Sequence, residues 1–407
     1  MNIIFLTMAS LTNVEERGIY TDLMRKFRDE GHNVYIVTPR ERRTGEINRV
    51  EDCTGVCFLF VRTLNLQKTN VIEKGVGQVL VGRQFKEVIK KYLTGLSFDL
   101  ILYSTPPITF PGVIEYLKKA NPSAKTYLLL KDIFPQNAVD LGMMSKRGIK
   151  GLLYKYFRNK ERKMYALSDF IGCMSPANVR YLIKHNPEVN ENKVELAPNS
   201  YERVEQLELN SIEKHEIRKK YVLPTDKPIF IYGGNLGKPQ GIPFLIECLE
   251  ANARRRDCHF IVVGDGTEYW KLDSWLRNHE DWTNVSVFQR LPKEDYDRLV
   301  KACDVGLIFL DYRFSIPNFP SRLLSYLQEK KPIIAATDPN CDMGCIAEEN
   351  GFGFWCPSNS VESFTHCVDK MLKADIVRMG EKGYKFLCNN YLVSNTYKTI
   401  ANHFIQK

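Results

Sequence analysis

Short apolar segments alternate with longer amphipathic segments along most of this chain of 407 residues. The short segments have the length of buried strands, and the longer ones have the apolar spacing of helices packed on one face. Strands that alternate with such helices favour parallel βα units with right-handed crossovers. The pattern predicts strands at residues 3–6, 34–37, 100–103, 126–130, 169–174, 229–232, 260–263, 285–288, 305–310, 333–336 and 353–355, and helices at residues 20–30, 111–119, 244–249 and 395–407.

A polar, lysine-rich stretch at residues 202–227 interrupts this alternation, which then starts again. A chain of 407 residues is also too long for one ordinary core. The sequence therefore predicts an α/β protein with two Rossmann-like, doubly wound parallel-sheet domains, at residues 1–203 and 204–389, facing each other across a cleft. The last helix, within residues 390–407, is expected to pack back on the first domain.

The most informative segment is a glycine-rich turn after the strand predicted at residues 229–232. It reads Tyr232-Gly-Gly-Asn-Leu-Gly and reaches a fourth glycine at Gly241. Glycines let a backbone approach a phosphate closely, and a following helix aims free N–H groups at it. Two other strands end in comparable segments, one in Val263-Gly-Asp-Gly and one before a helix start at Ser321. Because parallel sheets bind ligands where their strands end, the three segments predict a phosphate-binding site.

Two other kinds of site are excluded by the residues. A nicotinamide-binding Rossmann domain needs G-x-G-x-x-G after its first strand, and residues 7–18 contain no such motif. The 11 cysteines show no framework pattern, which fits a reducing cytoplasm. The closely spaced pairs Cys53/Cys57 and Cys341/Cys345 lie far apart and lack neighbouring histidines, so we predict no metal site.

Positive charge is concentrated in the first half of the chain. Residues 1–200 hold 30 Lys and Arg against 20 Asp and Glu, whereas residues 201–407 hold 27 against 28. Residues 146–163 hold eight cations, one acid and several apolar side chains, and residues 79–93 have the same character. Such segments suit an anionic membrane surface. Alternatively, their apolar faces pack on their own domain. We find no recognisable nucleic-acid-binding module around them.

The ordered set of motifs resembles a known enzyme family. The glycine-rich turn, Val263-Gly-Asp-Gly, Pro320-Ser-Arg-Leu-Leu-Ser-Tyr and Lys331-Pro-Ile-Ile-Ala are similar to landmarks of the donor domain in GT-B glycosyltransferases, specifically the retaining family 4. Pro198-Asn199 matches the end of the first domain. Ser104-Thr-Pro-Pro and Lys131-Asp-Ile-Phe-Pro are similar to a bacterial subgroup that builds O-antigen and capsular polysaccharides and includes N-acetylfucosamine transferases.

The resemblance implies a metal-independent, hexosyltransferase-type enzyme that needs no cofactor and takes a UDP-sugar as its donor substrate. The sugar would be an N-acetylated hexosamine or deoxyhexosamine. The acceptor would be an undecaprenyl-diphosphate-linked glycan in capsule, O-antigen or lipopolysaccharide synthesis. Such an enzyme is expected in the cytoplasm, peripherally associated with the inner face of the membrane through its basic N-terminal domain, and without a nucleic-acid partner.

Asp132 and Arg322 are the candidate catalytic residues. Without a metal, protein cations and dipoles must stabilise the departing diphosphate, and Arg322 follows the helix start at Ser321. N–H groups near Gly18 and along the glycine-rich turn would supply the remainder. Asp132 follows a strand and would orient the acceptor hydroxyl or stabilise an oxocarbenium-like transition state; alternatively, it caps the next segment. The residues expected to bind the nucleotide-sugar are Gly18, Gly233, Gly234, Asn235, Gly237, Gln240, Gly264, Asp265, Gly266, Arg290, Ser321, Arg322 and Tyr326.

The chain departs from the family pattern at several positions, including Lys330 in place of a usual glycine, and Asn235 and Gln240 in a region that often holds an Arg/Lys pair. Many members carry a pair of glutamates where this chain has Pro317 and Ser325. A non-catalytic protein that binds a nucleotide-sugar or scaffolds an assembly is therefore an alternative. A UDP-sugar 2-epimerase shares the fold, but it requires an acid/base constellation for which only Asp132 is an evident member.

Overall fold

The chain forms two compact units, each built around its own sheet. A computed structural model describes residues 1–66, 71–203, 209–279 and 282–405. The first unit comprises Met1–Glu202 and Leu392–Lys407, and the second comprises Arg203–Tyr391. These bounds lie within two residues of the predicted ones. Within two predicted segments, the linker and the last helix, residues 204–208 and 406–407 lie outside the described residues.

The described strands and helices alternate as the apolar pattern predicts. The strands are β1 (Asn2–Leu6), β2 (Asn33–Glu41), β3 (Arg49–Cys53), β4 (Val56–Thr63), β5 (Leu100–Ser104), β6 (Lys125–Leu130), β7 (Phe170–Cys173), β8 (Val194–Leu196), β9 (Ile229–Asn235), β10 (His259–Asp265), β11 (Val285–Phe288), β12 (Val305–Phe309), β13 (Ile333–Thr337) and β14 (Gly353–Pro357). The helices are α1 (Ile19–Asp29), α2 (Val71–Tyr92), α3 (Pro111–Ala120), α4 (Gln136–Asp140), α5 (Gly148–Leu167), α6 (Pro176–His185), α7 (Ser211–Lys220), α8 (Ile242–Asn252), α9 (Tyr269–Arg277), α10 (Lys293–Ala302), α11 (Arg322–Gln328), α12 (Met343–Glu349), α13 (Val361–Lys373), α14 (Ile376–Asn390) and α15 (Val393–Ile405).

The first unit is a sheet of eight strands in the order β3-β4-β2-β1-β5-β6-β7-β8. Its inner strands are covered on both faces, which is why they read as continuous apolar runs. Phe85 of α2 and Phe157 of α5 belong to the core on one face, and Phe27 of α1 and Ile400 of α15 belong to the core on the other. The last helix therefore packs on the first unit.

The second unit is a parallel sheet of six strands in the order β11-β10-β9-β12-β13-β14. Leu245 of α8, Leu272 of α9 and Phe364 of α13 share the core on one face. On the other face α11 lies directly on β12, because a Cβ at Gly306 would come within 2.4 Å of the Tyr326 ring. Both units are thus doubly wound α/β sheets, and the predicted fold class is confirmed at this level.

The apolar pattern did not predict β3, β4 and β8. β3 reads Arg-Val-Glu-Asp-Cys, and its side chains are exposed or half-buried. It pairs antiparallel with β4 at the edge of the sheet, whereas the other strand pairs are parallel. A charged edge strand avoids pairing with other chains, but its polarity removes the apolar alternation by which strands are recognised.

No helix in the described part of the chain combines the length and the apolar composition needed to cross a bilayer.

Candidate functional site

The candidate site of the second unit lies where β9 and β12 end. β9 is the first strand of this unit, with β10 on one side and β12 on the other. The segments that follow β9 and β12 therefore diverge, and such a switch point is where open α/β sheets form a binding crevice. The segment after β9 is the glycine-rich turn, and the segment after β12 leads into α11, whose first residue is Arg322.

Arg322 lies against the glycine-rich turn. A Cβ built on Gly234 would lie 3.3 Å from Nη2 and 3.6 Å from Nε of Arg322. Gly234 has a φ of 149°, which L side chains rarely adopt. The guanidinium carbon also lies 5.0 Å from the centre of the Tyr296 ring. The structure thus brings together Arg322 and Gly234, and adds an aromatic surface under the guanidinium.

Three buried tyrosines lie within reach of the charge of this guanidinium. Burial raises the pKa of Tyr232, Tyr296 and Tyr326, and the positive charge of Arg322 opposes that rise in each case. One cation therefore acts on a poorly hydrated region in which electrostatic interactions are stronger than in water. Tyr296, on α10, was missed by the sequence analysis because an aromatic residue in a helix gives no signal beyond core packing.

Several predicted ligand-binding glycines are explained by packing within the protein. A Cβ on Gly233 would lie 2.0 Å from the Tyr296 hydroxyl, and one on Gly264 would lie 2.0 Å from the Gly234 carbonyl oxygen. A Cβ on Gly266 would lie 2.3 Å from the Leu236 carbonyl oxygen. The close approach of β9, β10 and α10 therefore requires glycine at these positions whether or not a ligand binds.

The prediction that N–H groups of this turn are free for a diphosphate is wrong for three of them. β9 extends to Asn235, so the first glycines belong to a strand rather than to a loop. The three N–H groups already have acceptors: Gly233 donates to Tyr326 Oη (3.1 Å), Leu236 to the Asp265 carbonyl (2.9 Å) and Gly237 to Gln240 Oε1 (3.3 Å).

The other residues of the second unit that were predicted to bind the nucleotide-sugar lie at or after the ends of β9, β10 and β11, or just before α11. Asn235 Nδ2 donates to Gln240 Oε1 (2.9 Å), and Asp265 Oδ1 accepts the N–H of Gly266 (2.8 Å). Ser321 precedes α11 without a side-chain capping bond. Arg290 is exposed on the segment between β11 and α10.

Tyr326 is completely buried, and its hydroxyl is hydrogen-bonded to the backbone at the start of the glycine-rich turn. Its hydroxyl accepts the N–H of Gly233 (3.1 Å) and donates to the Ile231 carbonyl (3.0 Å). We expect Tyr326→Phe to lower the free energy of unfolding by about 1–3 kcal/mol, because two buried backbone groups lose their partner. Urea denaturation measures this. Tyr312→Phe is the control, since its side chain is exposed and should leave the midpoint unchanged. An unchanged midpoint for Tyr326→Phe would contradict this role.

In the first unit, the predicted site residues Gly18 and Asp132 both form hydrogen bonds within the protein. The N–H of Gly18 donates to Asp22 Oδ1 (3.1 Å), so the predicted anion donor is already engaged. Asp132 follows β6, and both its carboxylate oxygens accept from Asn137 Nδ2 (2.8 and 2.9 Å). It does not cap the next helix, because α4 begins at Gln136. The capping alternative is therefore wrong, and Asn137 is a partner that the sequence did not reveal.

Two hydrogen bonds to Thr105 hold the loop that contains Lys131 and Asp132, and burial shifts the pKa values of both side chains. Thr105 Oγ1 accepts the N–H groups of Lys131 (2.9 Å) and Asp132 (3.1 Å). Burial raises the pKa of Asp132 to about 6, although the N–H of Ile133 and the Asn137 amide oppose the rise. Burial also lowers the pKa of Lys131 to about 7. A carboxyl and an amine that titrate near neutral pH are typical of functional sites.

We expect Asp132→Asn to stabilise the protein at pH 8 by about 1 kcal/mol or more, because it removes a carboxylate that burial disfavours. The pKa of Asp132 is about 6 in the folded state and 3.8 in the reference state. Between these two pH values the folded protein holds a proton that the unfolded chain has released. Stability from this group therefore falls as pH rises from 4 to 6, and the gain on substitution vanishes near pH 4. Thermal unfolding across this range, with Asp140→Asn as control, tests the sign. A variant less stable than the parent at pH 8 would contradict it.

No group of three or more His, Cys, Asp or Glu side chains is arranged to hold a metal ion within the four described ranges. Cys341 is buried and Cys345 is exposed, whereas Cys53 and Cys57 are half-buried.

The family model "Glycosyl transferases group 1" matches residues 213–386, which are most of the second unit. The chain is 24% identical over 339 residues to "Probable glycosyltransferase WbjE" of Pseudomonas aeruginosa, covering 82% of this chain and 80% of that protein. It is 23% identical over 253 residues to "Putative colanic acid biosynthesis glycosyl transferase WcaI" of Escherichia coli (strain K12), covering 61% and 60%.

Solved structures share the fold over the full length. Sucrose-phosphate synthase from Thermosynechococcus elongatus aligns with a TM-score of 0.75 at 15% identity, covering 100% of this chain and 99% of that one. Anabaena Alr3699/HepE in complex with UDP aligns with a TM-score of 0.66 at 13% identity, covering 99% of both. With the matched family model and the two doubly wound units, these similarities identify the chain as a glycosyltransferase with the GT-B fold.

Proposed function

We propose that this chain is a retaining glycosyltransferase of family 4 that transfers a sugar from a UDP-sugar to an undecaprenyl-diphosphate-linked glycan in surface polysaccharide synthesis. The sugar is an N-acetylated hexosamine or deoxyhexosamine. The enzyme works without a metal, in the cytoplasm, at the inner face of the membrane. Its bacterial subgroup is that of the O-antigen and capsule transferases, which include N-acetylfucosamine transferases.

The observation that carries the proposal is the position of Arg322 at the switch point of the second sheet. Transfer breaks the bond between the anomeric carbon and the diphosphate, and the leaving UDP gains negative charge. Arg322 is a cation fixed against Gly234 and over Tyr296, where poor hydration strengthens its action on that charge. Because three N–H groups of the turn are engaged within the protein, Arg322 carries more of this stabilisation than the sequence suggested.

The acceptor side of the reaction requires a hydroxyl that loses its proton as it attacks. Asp132 in the first unit is the candidate that orients this hydroxyl. Asn137 holds both carboxylate oxygens, and a pKa of about 6 leaves Asp132 mostly ionised at neutral pH. The acceptor oxygen bonds to the anomeric carbon on the face from which UDP departs, so the configuration is retained. The bond from the anomeric carbon to the diphosphate breaks, and the hydroxyl proton passes to the departing phosphate oxygen.

The comparisons support the choice of donor and pathway. HepE was solved in complex with UDP, which supports a uridine nucleotide as the donor carrier. The name of WcaI places that protein in colanic acid biosynthesis, which supports a bacterial surface polysaccharide as the product class. The lipid-linked acceptor and the identity of the sugar rest on the motif resemblance.

A UDP-release assay over a panel of UDP-sugars, with and without a bacterial lipid extract, tests the proposal. We expect one donor to give UDP release that the extract stimulates, and this result names the sugar. If UDP binds but no donor gives release in either condition, the chain is a nucleotide-sugar-binding or scaffolding protein instead.

A further inference from the structure

The first two turns of α5 expose an apolar stripe to solvent. Ile149, Leu152, Leu153 and Tyr156 are spaced i, i+3, i+4 and i+7, so they lie on one face of the helix. Their exposed fractions are 88%, 67%, 49% and 37%. The buried side of the same helix is formed by Gly151, Phe157, Glu161, Met164 and Tyr165. We call the four exposed residues the α5 ridge.

The sequence left open whether the apolar residues of this basic segment face a membrane or pack on their own domain. If the apolar residues of this basic segment packed on their own domain, they would be buried in the structure. Instead, the inward face of α5 is complete without them, since Phe157 and Tyr165 belong to the core of the first unit. Contiguous exposed apolar side chains on a helix mark a surface that binds something.

The charge around the ridge is positive. Residues 141–160 contain no Asp or Glu, and their cations are Lys146, Arg147, Lys150, Lys155, Arg158 and Lys160. Arg158 is engaged with Glu161, whereas Lys150 and Lys155 are exposed on the turns that carry the ridge. Lys160 lies over the Tyr156 ring at 5.5 Å. An apolar face flanked by lysines complements a surface that is apolar inside and anionic outside.

A second stripe lies in the same helix layer. α2 exposes Val76, Val79 and Leu80, again at i, i+3 and i+4, and Arg83 follows at i+7. α3 packs against both α2 and α5 on this face of the sheet. The lysines at positions 86 and 90 of α2 lie 5.8 and 5.4 Å from the Tyr116 ring of α3. The layer of α2, α3 and α5 therefore presents two apolar stripes with cations beside each.

We infer that the α5 ridge inserts into the interface of an anionic phospholipid membrane, with Lys150 and Lys155 at the level of the headgroups. This inference deepens the proposed function, on whose membrane location it rests, by naming the surface that docks. A bilayer is favoured over a protein partner because the flanking charge has one sign. A lipid interface needs only apolar insertion and basic headgroup contacts.

Co-sedimentation with phosphatidylglycerol–phosphatidylcholine vesicles at low salt tests this inference. We expect Ile149→Ser/Leu152→Ser/Leu153→Ser to weaken vesicle affinity by about tenfold or more. Lys150→Gln/Lys155→Gln should reduce the preference for anionic over pure phosphatidylcholine vesicles. The matched control is Ile212→Ser/Val377→Ser, which removes side chains of the second unit that are 70% and 73% exposed and should leave affinity unchanged.

Three results would overturn the inference: a parent protein that does not sediment with the vesicles, a ridge variant that binds as the parent does, or a ridge variant that instead converts a dimer to a monomer. UDP release without vesicles is measured in parallel on every variant. If the parent gives no UDP release but still binds vesicles through the ridge, the proposed function fails and the docking surface remains.

Discussion

Replacing Arg322 by alanine is expected to lower the rate of sugar transfer by about 10²–10³-fold, the loss typical of removing one preorganised group that stabilises charge in a transition state. The side chain lies against Gly234, and its charge acts on the buried tyrosines at positions 232, 296 and 326. UDP-release kinetics measure the effect. Arg322→Lys should recover part of the rate, because it keeps the charge but loses the planar guanidinium over Tyr296.

The matched control is Arg313→Ala. Arg313 lies on the same segment between β12 and α11, pairs with Asp311 through an exposed side chain, and should be dispensable for transfer. The thermal midpoints of both alanine variants should stay close to that of the parent, so that a lost rate is not a lost fold. Near-parental turnover in Arg322→Ala would show that this cation does not stabilise the leaving UDP.

Asp304→Ala is expected to be the most destabilising of the substitutions considered. Asp304 lies just before β12 and receives Lys214 (2.6 Å), Arg218 (2.6 Å) and the N–H of Ile229 at the start of β9 (2.8 Å). Removing one partner of a buried ion pair leaves uncompensated charge, at a cost of about 3–5 kcal/mol. Urea denaturation should therefore show a much lower midpoint for the second unit.

The pH dependence of this group has the opposite sign to that of Asp132. Burial opposes ionisation of Asp304, yet the cations at positions 214 and 218 lower its pKa below 3.8. Its stabilising contribution is therefore complete above the unfolded pKa and is lost as pH falls through the lowered folded pKa. The control is Asp295→Ala, whose carboxylate pairs with Lys220 at an exposed position and should leave the midpoint nearly unchanged. Equal midpoints for the two variants would show that the ion pairs and the hydrogen bond of Asp304 contribute little to stability.

The fold was predictable because its strands are buried on both faces. Segments such as Ile229–Asn235 and Val305–Phe309 are nearly continuous apolar runs, and runs of this kind between helical segments have few other interpretations. β3 escaped prediction because an exposed edge strand has no apolar side to reveal it. The two-domain division followed from the restart of the same pattern after a polar stretch.

The candidate site was predictable in location but only in part in its details. The glycines lie at strand ends beside the switch point, and Arg322 begins the helix after β12, but that these residues bind a nucleotide-sugar stays a prediction. The sequence could not show that Tyr326 and Gln240 already accept the N–H groups of the turn, because those bonds depend on where distant side chains pack. Asn137 was invisible for the same reason, since an asparagine near an aspartate has many possible partners.

Sugar transfer itself is tested by following a labelled sugar from its UDP donor into the lipid-extractable fraction while UDP is measured in the same reaction. We expect one labelled sugar to be transferred for each UDP released, with both signals dependent on acceptor and both lost in Arg322→Ala. Tight UDP binding with no label in the lipid fraction for any donor would contradict this expectation.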